Sequence, residues 1–205
     1  KNFNNFIGLP LSIFQFDDSL EVVVLEMGMS DFGEIDRLAS IVKPHIGVIT
    51  NIGVAHMESL GSREGIFQAK MEIAKHIAGD DELPGTLIYA SDSEFLTKER
   101  TKGNYDQISV GEKGKDDYII SSVDDFGMDG IKFTLEHAQE VRQISLPLPG
   151  RHNAINSALA VAVGDLLGVS PEEEIDGLAA ADLTGNRLKR RENGSICVID
   201  DTYNA

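Results

Sequence analysis

Three residues far apart in this chain of 205 carry side chains suited to handling a phosphate group: Glu26, His56 and Lys70. Glu26 closes an apolar, β-branched run, Glu21–Glu26 (EVVVLE), and is followed by Met27-Gly28-Met29-Ser30. A carboxylate at the end of such a strand suits a Mg²⁺ ligand beside a nucleotide; the plainer alternative is a strand-end acid facing water. His56 lies just past a second strand, in Asn51-Ile-Gly-Val-Ala-His56-Met-Glu58, where an imidazole can bind metal or orient phosphate. His45, His76 and His137 lack that setting and read as surface or satisfied histidines. Lys70 projects from the following helix. Its plain reading is a solvated lysine paired with Glu72 or Glu64, but its place after His56 favours a role beside the strand ends. An acid, an imidazole and an amine gathered at one rim of a parallel sheet would hold a metal near phosphate.

Two further groups lie downstream. Asn153 and Asn156 share one face at a helix start. One amide there could cap the helix, whereas two amides with His152 could read a base or a ribose. Arg187 follows Thr184-Gly185-Asn186 and opens a basic loop with Lys189, Arg190 and Arg191. Either the run is simply solvated, or one arginine is aimed at a γ-phosphate.

The elements that must position these residues alternate between strand and helix. Ile46–Thr50 reads as a strand, broken at Asn51-Ile-Gly53, and a helix begins at Ser62 and Glu64 and runs through Lys70 to about Ala78. Strand, glycine and helix in that order build ligand sites at strand C-termini in open α/β sheets. Helical spacing of Ile35, Leu38, Ala39 and Val42 predicts a helix over 34–42, ended by Lys43-Pro44. Leu11–Phe16 begins a helix or a short extended piece. Thr86–Ala90 is a buried strand and Ser93–Lys98 a short helix. From Tyr105 to Leu148 short strand-like runs separated by turn signals predict a small antiparallel sheet. Asn153–Leu167 is a helix stopped by Gly168, and Ser170-Pro171 opens another with serine as N-cap and proline at its first position. Ser195–Asp200 is a last strand ending on Asp200 and Asp201. The fold class is α/β: a mostly parallel sheet flanked by helices, with a small antiparallel β subdomain.

Acidic residues outnumber basic ones by 34 to 18, for a formal charge of −16, which argues against a general nucleic-acid or anionic-membrane surface. Local lysine, metal and backbone N–H groups can still bind an anion. Cys197 is the single cysteine, so no internal disulfide forms and a reducing compartment is expected. No run approaches the roughly 20 apolar residues of a membrane span.

Taken together, Glu26, Asn51-Ile-Gly53 with His56, Ala69-Lys70, Gly150-x-His-Asn153-x-x-Asn156, Gly185-x-Arg187 and Asp200-Asp-x-Tyr-Asn-Ala205 resemble the central ATPase domain of the Mur ligases, in order and spacing along nearly the whole chain. Asn2-Phe-Asn-Asn5-x-Ile-Gly-Leu-Pro10 and the DDTYNA ending are similar to the branch that joins D-alanyl-D-alanine to UDP-N-acetylmuramoyl-tripeptide. A folylpolyglutamate synthase-like ligase, or a noncatalytic ligand-binding module of the same fold, is the alternative. The resemblance implies a cytoplasmic enzyme using ATP and Mg²⁺, in which the substrate carboxylate becomes an acyl phosphate that the dipeptide amine attacks. Glu26 and His56 would hold Mg²⁺. Lys70 would match a lysine that several members carbamylate, and Lys70 and His56 would be the catalytic pair. Asn153 and Asn156 would meet the adenine side, Arg187 and Asp201 the nucleotide from a hinge, and Asn5 and Asn204 the substrates. The family's Gly-x-x-Gly-Lys-Thr phosphate loop is not present in this sequence. The expectation is therefore a truncated piece, inactive alone, with residues 1–104 and 149–205 from the central domain and 105–148 as a small antiparallel insertion. The full enzyme is expected to be a monomer, while the piece could self-associate through an exposed sheet edge.

Overall fold

In a computed structural model of the protein, residues 3–182, 188–194 and 196–202 are described. The chain divides into two compact units, Lys1–Ser109 and Val110–Ala205.

The first unit holds α1 (Gly8–Ile13), α2 (Glu34–Val42), β1 (Ile46–Ile49), α3 (Met57–Leu60), α4 (Arg63–Met71), a 3-10 turn over Glu72–Lys75, and β2 (Thr86–Ala90). Helix α2 buries Ile35, Leu38 and Ala39 on one face and closes at Lys43, which takes a left-handed φ of 47°. Helix α4 starts where Ser62 accepts a hydrogen bond from the Gly65 N–H at 3.0 Å, as an N-cap serine should. Strands β1 and β2 pair in parallel from Ile46↔Thr86 to Ile49↔Tyr89. Every residue of β2 is buried, the pattern of a strand covered on both faces. The core beside them joins Ile49 and Ile52 to Leu87 and Tyr89, with Ile66 and Phe67 of α4 laid on top.

Strand β3 (Asp106–Gly111) carries the chain into the second unit, where its end pairs in parallel with β4 (Tyr118–Asp125). Strands β5 (Ile131–His137) and β6 (Glu140–Leu146) continue from β4 in antiparallel fashion. Ala138 and Gln139 link β5 to β6, both at positive φ, as a two-residue hairpin turn requires. Helix α5 (His152–Leu166) packs on β4 and β5, and α6 (Pro171–Ala179) packs on β6 and α5. A separate antiparallel hairpin pairs β7 (Lys189–Asn193) with β8 (Ile196–Asp200). The parallel pairs flanked by helices, with an antiparallel extension, agree with the expected α/β class.

Four local expectations need correction. Residues 22–29 form no strand, and Val24 is 88% exposed. A β-branched run becomes a strand only where a neighbour completes its hydrogen bonds and covers its side chains, and among the described residues none does so here. Residues 93–98 form turns, not a helix. The helix through Lys70 stops at Met71 and tightens into the 3-10 turn instead of reaching Ala78. The basic run after Arg187 is β7, not a loop, with Arg191 paired to Asp200 at 3.1 Å.

The second unit is tied together by one guanidinium. Arg142 on β6 donates to Asp165 of α5 (2.9 and 3.2 Å), to Glu174 of α6 (2.5 Å) and to Glu140 (3.0 Å). Tyr118 of β4 donates its hydroxyl to Asp165 at 2.8 Å. The Arg142 and Glu174 side chains are only 9% and 5% exposed. Removing one partner of a buried charge pair leaves the other uncompensated, so Arg142→Ala should cost about 3–5 kcal/mol, read as a lowered midpoint in urea unfolding.

One guanidinium does not satisfy its carboxylates equally. Burial, then the charge of Asp165, push the Glu174 carboxyl above its ordinary value of 4.5 despite the hydrogen bond from Arg142. A raised folded-state pKa means the native protein holds this proton more tightly than the unfolded chain. Stability from this group is therefore intact below the unfolded value and is lost as pH rises through the folded one. Glu174→Gln keeps an oxygen for Arg142 but has no proton to lose. The melting temperature of Glu174→Gln relative to the native protein should climb as pH is raised from about 4.5 toward neutrality.

Candidate active site

Helix α4 lies against the exit of β1 and makes two contacts there. Lys70 Nζ donates to the Asn51 carbonyl at 2.8 Å, and Arg63 Nη2 donates to the next carbonyl, Ile52, at 3.1 Å. The plain reading of Lys70 as the partner of Glu72 or Glu64 does not hold, because both acids are engaged elsewhere. Glu64 pairs with Arg100 at 2.6 and 2.7 Å. Glu72 is buried and accepts from the Gly33 and Asp36 N–H groups at 2.8 and 3.1 Å. It thereby supplies α2 with the cap that Gly33 lacks a side chain to provide. Lys70 is partly buried, which pushes its ammonium below the ordinary lysine value; among the described residues it donates to one backbone carbonyl, which leaves hydrogen-bonding capacity for an anion.

Glu26 is exposed, and its carboxylate accepts from Asn4 Nδ2 at 2.8 Å while the Asn4 carbonyl accepts from the Gly28 N–H at 2.8 Å. Asn4 is absent from the residues singled out in the sequence, where the asparagine-rich start was the available signal and pointed to Asn5. Asn5 instead starts α1, its side-chain oxygen accepting from Ile7 and Gly8 N–H groups at 3.1 and 2.8 Å. The segment after Glu26 is held at its far end too. The Ser30 N–H donates to Glu34 at 2.5 Å, and the Ser30 carbonyl accepts from the Ser59 hydroxyl.

Ser59 belongs to α3, the short helix that His56 precedes. The Glu26–Ser30 and His56–Ser59 segments are therefore joined by a hydrogen bond, and the β1 exit leading to His56 is joined to Lys70. His56 is exposed and adopts a left-handed φ of 67°, a conformation rare outside glycine that asparagine, aspartate and histidine enter most readily. Three other histidines are satisfied: His45 by Asp80 and His76 by Asp36, each at 3.1 Å, and His137 by the Asp117 carbonyl at 2.8 Å and a stack on Tyr118. A hollow of about 400 Å³ in this unit is lined by Phe32, Phe67, Met71, Lys75 and Arg100 among others, and by none of Glu26, His56 or Lys70.

In the second unit, Asn153 is buried and does not cap α5 by accepting. It donates to the Pro149 carbonyl at 2.7 Å, and Asn156 leans on Asn153 at 3.4 Å. Gly150 is at φ 94°, and a Cβ there would lie 2.7 Å from the His152 ring, which accounts for the Gly-x-His-Asn spacing. Asp201 accepts from the Leu188 N–H at 3.3 Å across the β7–β8 hairpin. Arg187 and Asn204 lie outside the described residues.

The Mur ligase middle domain model matches residues 1–164. The UDP-N-acetylmuramoyl-tripeptide–D-alanyl-D-alanine ligase of Bacillus subtilis (strain 168) is 38% identical across 100% of this chain and 43% of its own length. The ligase of that name from Synechocystis is 32% identical across 99% of this chain and 42% of its own. Among solved structures, MurF from Acinetobacter baumannii superposes with a TM-score of 0.91 at 33% identity, over 100% of this chain and 44% of that one. MurF from Thermotoga maritima, solved in complex with ADP, gives 0.81 at 30% identity over 100% and 46%. The chain spans less than half the length of these relatives. By a match over most of its residues, the chain belongs to the Mur ligase family through that family's middle domain.

Proposed function

We propose that this chain is the nucleotide-handling portion of an ATP-dependent ligase that joins D-alanyl-D-alanine to UDP-N-acetylmuramoyl-tripeptide. The observation that carries the reading is the half-buried Lys70 ammonium, held by the Asn51 carbonyl at the exit of β1. Similarity along this whole chain to less than half the length of relatives bearing that enzyme's name supports the substrate assignment.

In this reading Lys70 meets the γ-phosphate and spreads its charge as phosphoryl transfer to the tripeptide carboxylate proceeds. The resulting acyl phosphate is attacked by the dipeptide amine, and phosphate departs. Asn153 and Asn156 are assigned to the base or ribose, Arg187 and Asp201 to the nucleotide, and Asn5 and Asn204 to the substrate side. Asn5 and Asn153 serve these assignments with their remaining hydrogen-bonding capacity, since each already fixes local backbone.

Mg²⁺ fits the donors on offer. Among the described residues no three His, Cys, Asp or Glu side chains gather into a metal cage. Mg²⁺ does not need one, since it keeps several waters and binds through one or two protein groups plus substrate phosphates. Glu26, oriented by Asn4, would hold it with His56, and the bound ion would neutralise developing phosphate charge.

Two substitutions in the complete gene product test the assignment. Lys70→Ala should lower D-alanyl-D-alanine-dependent phosphate release by about a hundredfold or more, with the far-ultraviolet circular dichroism unchanged. His56→Gly removes the imidazole at a left-handed position that glycine adopts freely. It should leave stability unchanged or raise it by up to about 1 kcal/mol, while ligation falls. Full turnover in both variants would refute the roles given to Lys70 and His56.

A further inference from the structure

Resting on the ligase reading above, we infer that Arg63 is a positioning residue for the reaction: it fixes the exit of β1 so that the Asn51 carbonyl meets Lys70 and the loop to His56 leaves the sheet in one conformation. Arg63 opens α4 two helical turns before Lys70, on the same side of the helix. The two side chains hold consecutive carbonyls, Ile52 at 3.1 Å and Asn51 at 2.8 Å. Arg63 is itself anchored on the far side, where Nη1 donates to Glu94 at 3.0 Å and the guanidinium lies 4.8 Å over the Phe95 ring. It therefore braces the β1 exit against the loop that follows β2, with its planar fork making both contacts at once.

Local stability does not explain an arginine here. A cation in the first turn of a helix opposes the helix dipole. The ion pair with Glu94 is solvent-exposed and of the kind that contributes little. Arg63 Nε is buried without a partner, a further cost. What the arginine gains for those costs is a fixed carbonyl next to the one that holds Lys70.

The test uses the complete gene product and follows phosphate release driven by D-alanyl-D-alanine. Arg63→Ala should lower kcat by between about ten- and a hundredfold, with KM for ATP changed by less than about threefold. Added ethylguanidinium should restore part of the lost rate. Arg63→Lys, which keeps the charge but cannot brace Ile52 and Glu94 together, should fall between the native and alanine rates and covers the case in which the alanine variant misfolds. Unchanged kcat in Arg63→Ala, or a loss that tracks the folded fraction and ignores ethylguanidinium, overturns the inference. Lys70→Ala separates the two levels. If it abolishes ligation while Arg63→Ala leaves kcat unchanged, only the role of Arg63 fails; if it leaves ligation intact, the ligase reading fails and this inference with it.

Discussion

The hydrogen bond from Lys70 to the Asn51 carbonyl is the constraint around which the first unit is arranged. A parallel strand ends with carbonyls that its neighbour no longer satisfies, and an amine brought alongside can satisfy one of them. For that to happen α4 must lie close across the end of β1. Its buried face supplies the force, with Ile66 and Phe67 packed on Ile49, Ile52, Leu87 and Tyr89. Apolar burial at roughly 25 cal/mol per Å² sets where the helix rests. The polar contacts then decide which carbonyl each cation reaches.

Around that contact, acidic side chains act as backbone acceptors. Glu72 caps α2, Glu34 takes the Ser30 N–H, and Glu26 is itself held by Asn4. The Glu72 and Glu26 contacts span 39 and 22 residues and the Glu34 contact four, each a hydrogen bond of the charge-assisted kind. The second unit uses the reverse arrangement, in which one buried cation, Arg142, gathers carboxylates from α5, α6 and β6. Both arrangements fix secondary elements by charge paired to local donors, which an excess of acids over bases makes easy to build.

The sequence announced what repeats and concealed what depends on a neighbour. Helix α2, strand β1 and the Ser62 and Ser170 caps were legible because periodicity and capping chemistry are local. Glu21–Glu26 misled because β-branched residues report only a preference for extended backbone, while a strand also needs a partner. The basic run misled in the other direction, since a run of consecutive charges carries no apolar alternation to mark it as β7. Glu26, His56 and Lys70 were singled out as candidates by their positions after strand-like runs. Asn4 and Arg63 were not, because their roles are contacts to a distant carboxylate and a distant carbonyl that no spacing encodes. For Glu72 the sequence suggested only a helical neighbour of Lys70, whereas its carboxylate had travelled to another helix.

A chain with a formal charge of −16 must still admit a polyanion if it handles a nucleotide. At physiological salt the screening length is about 8 Å, so most of that charge is invisible to a phosphate already at the β1 exit. Within that range the balance differs. Glu64 is paired with Arg100, the Glu72 carboxylate is taken up by backbone N–H groups, and Lys70 donates to a carbonyl, not to a carboxylate. A cation matched only to a neutral dipole keeps most of its field, and partial burial strengthens that field against water. Had Lys70 paired with Glu72, as their spacing along the helix permits, the same residues would have formed a quiet ion pair with nothing to offer an anion. Sending Glu72 to the start of α2 is thus what leaves Lys70 electrostatically active.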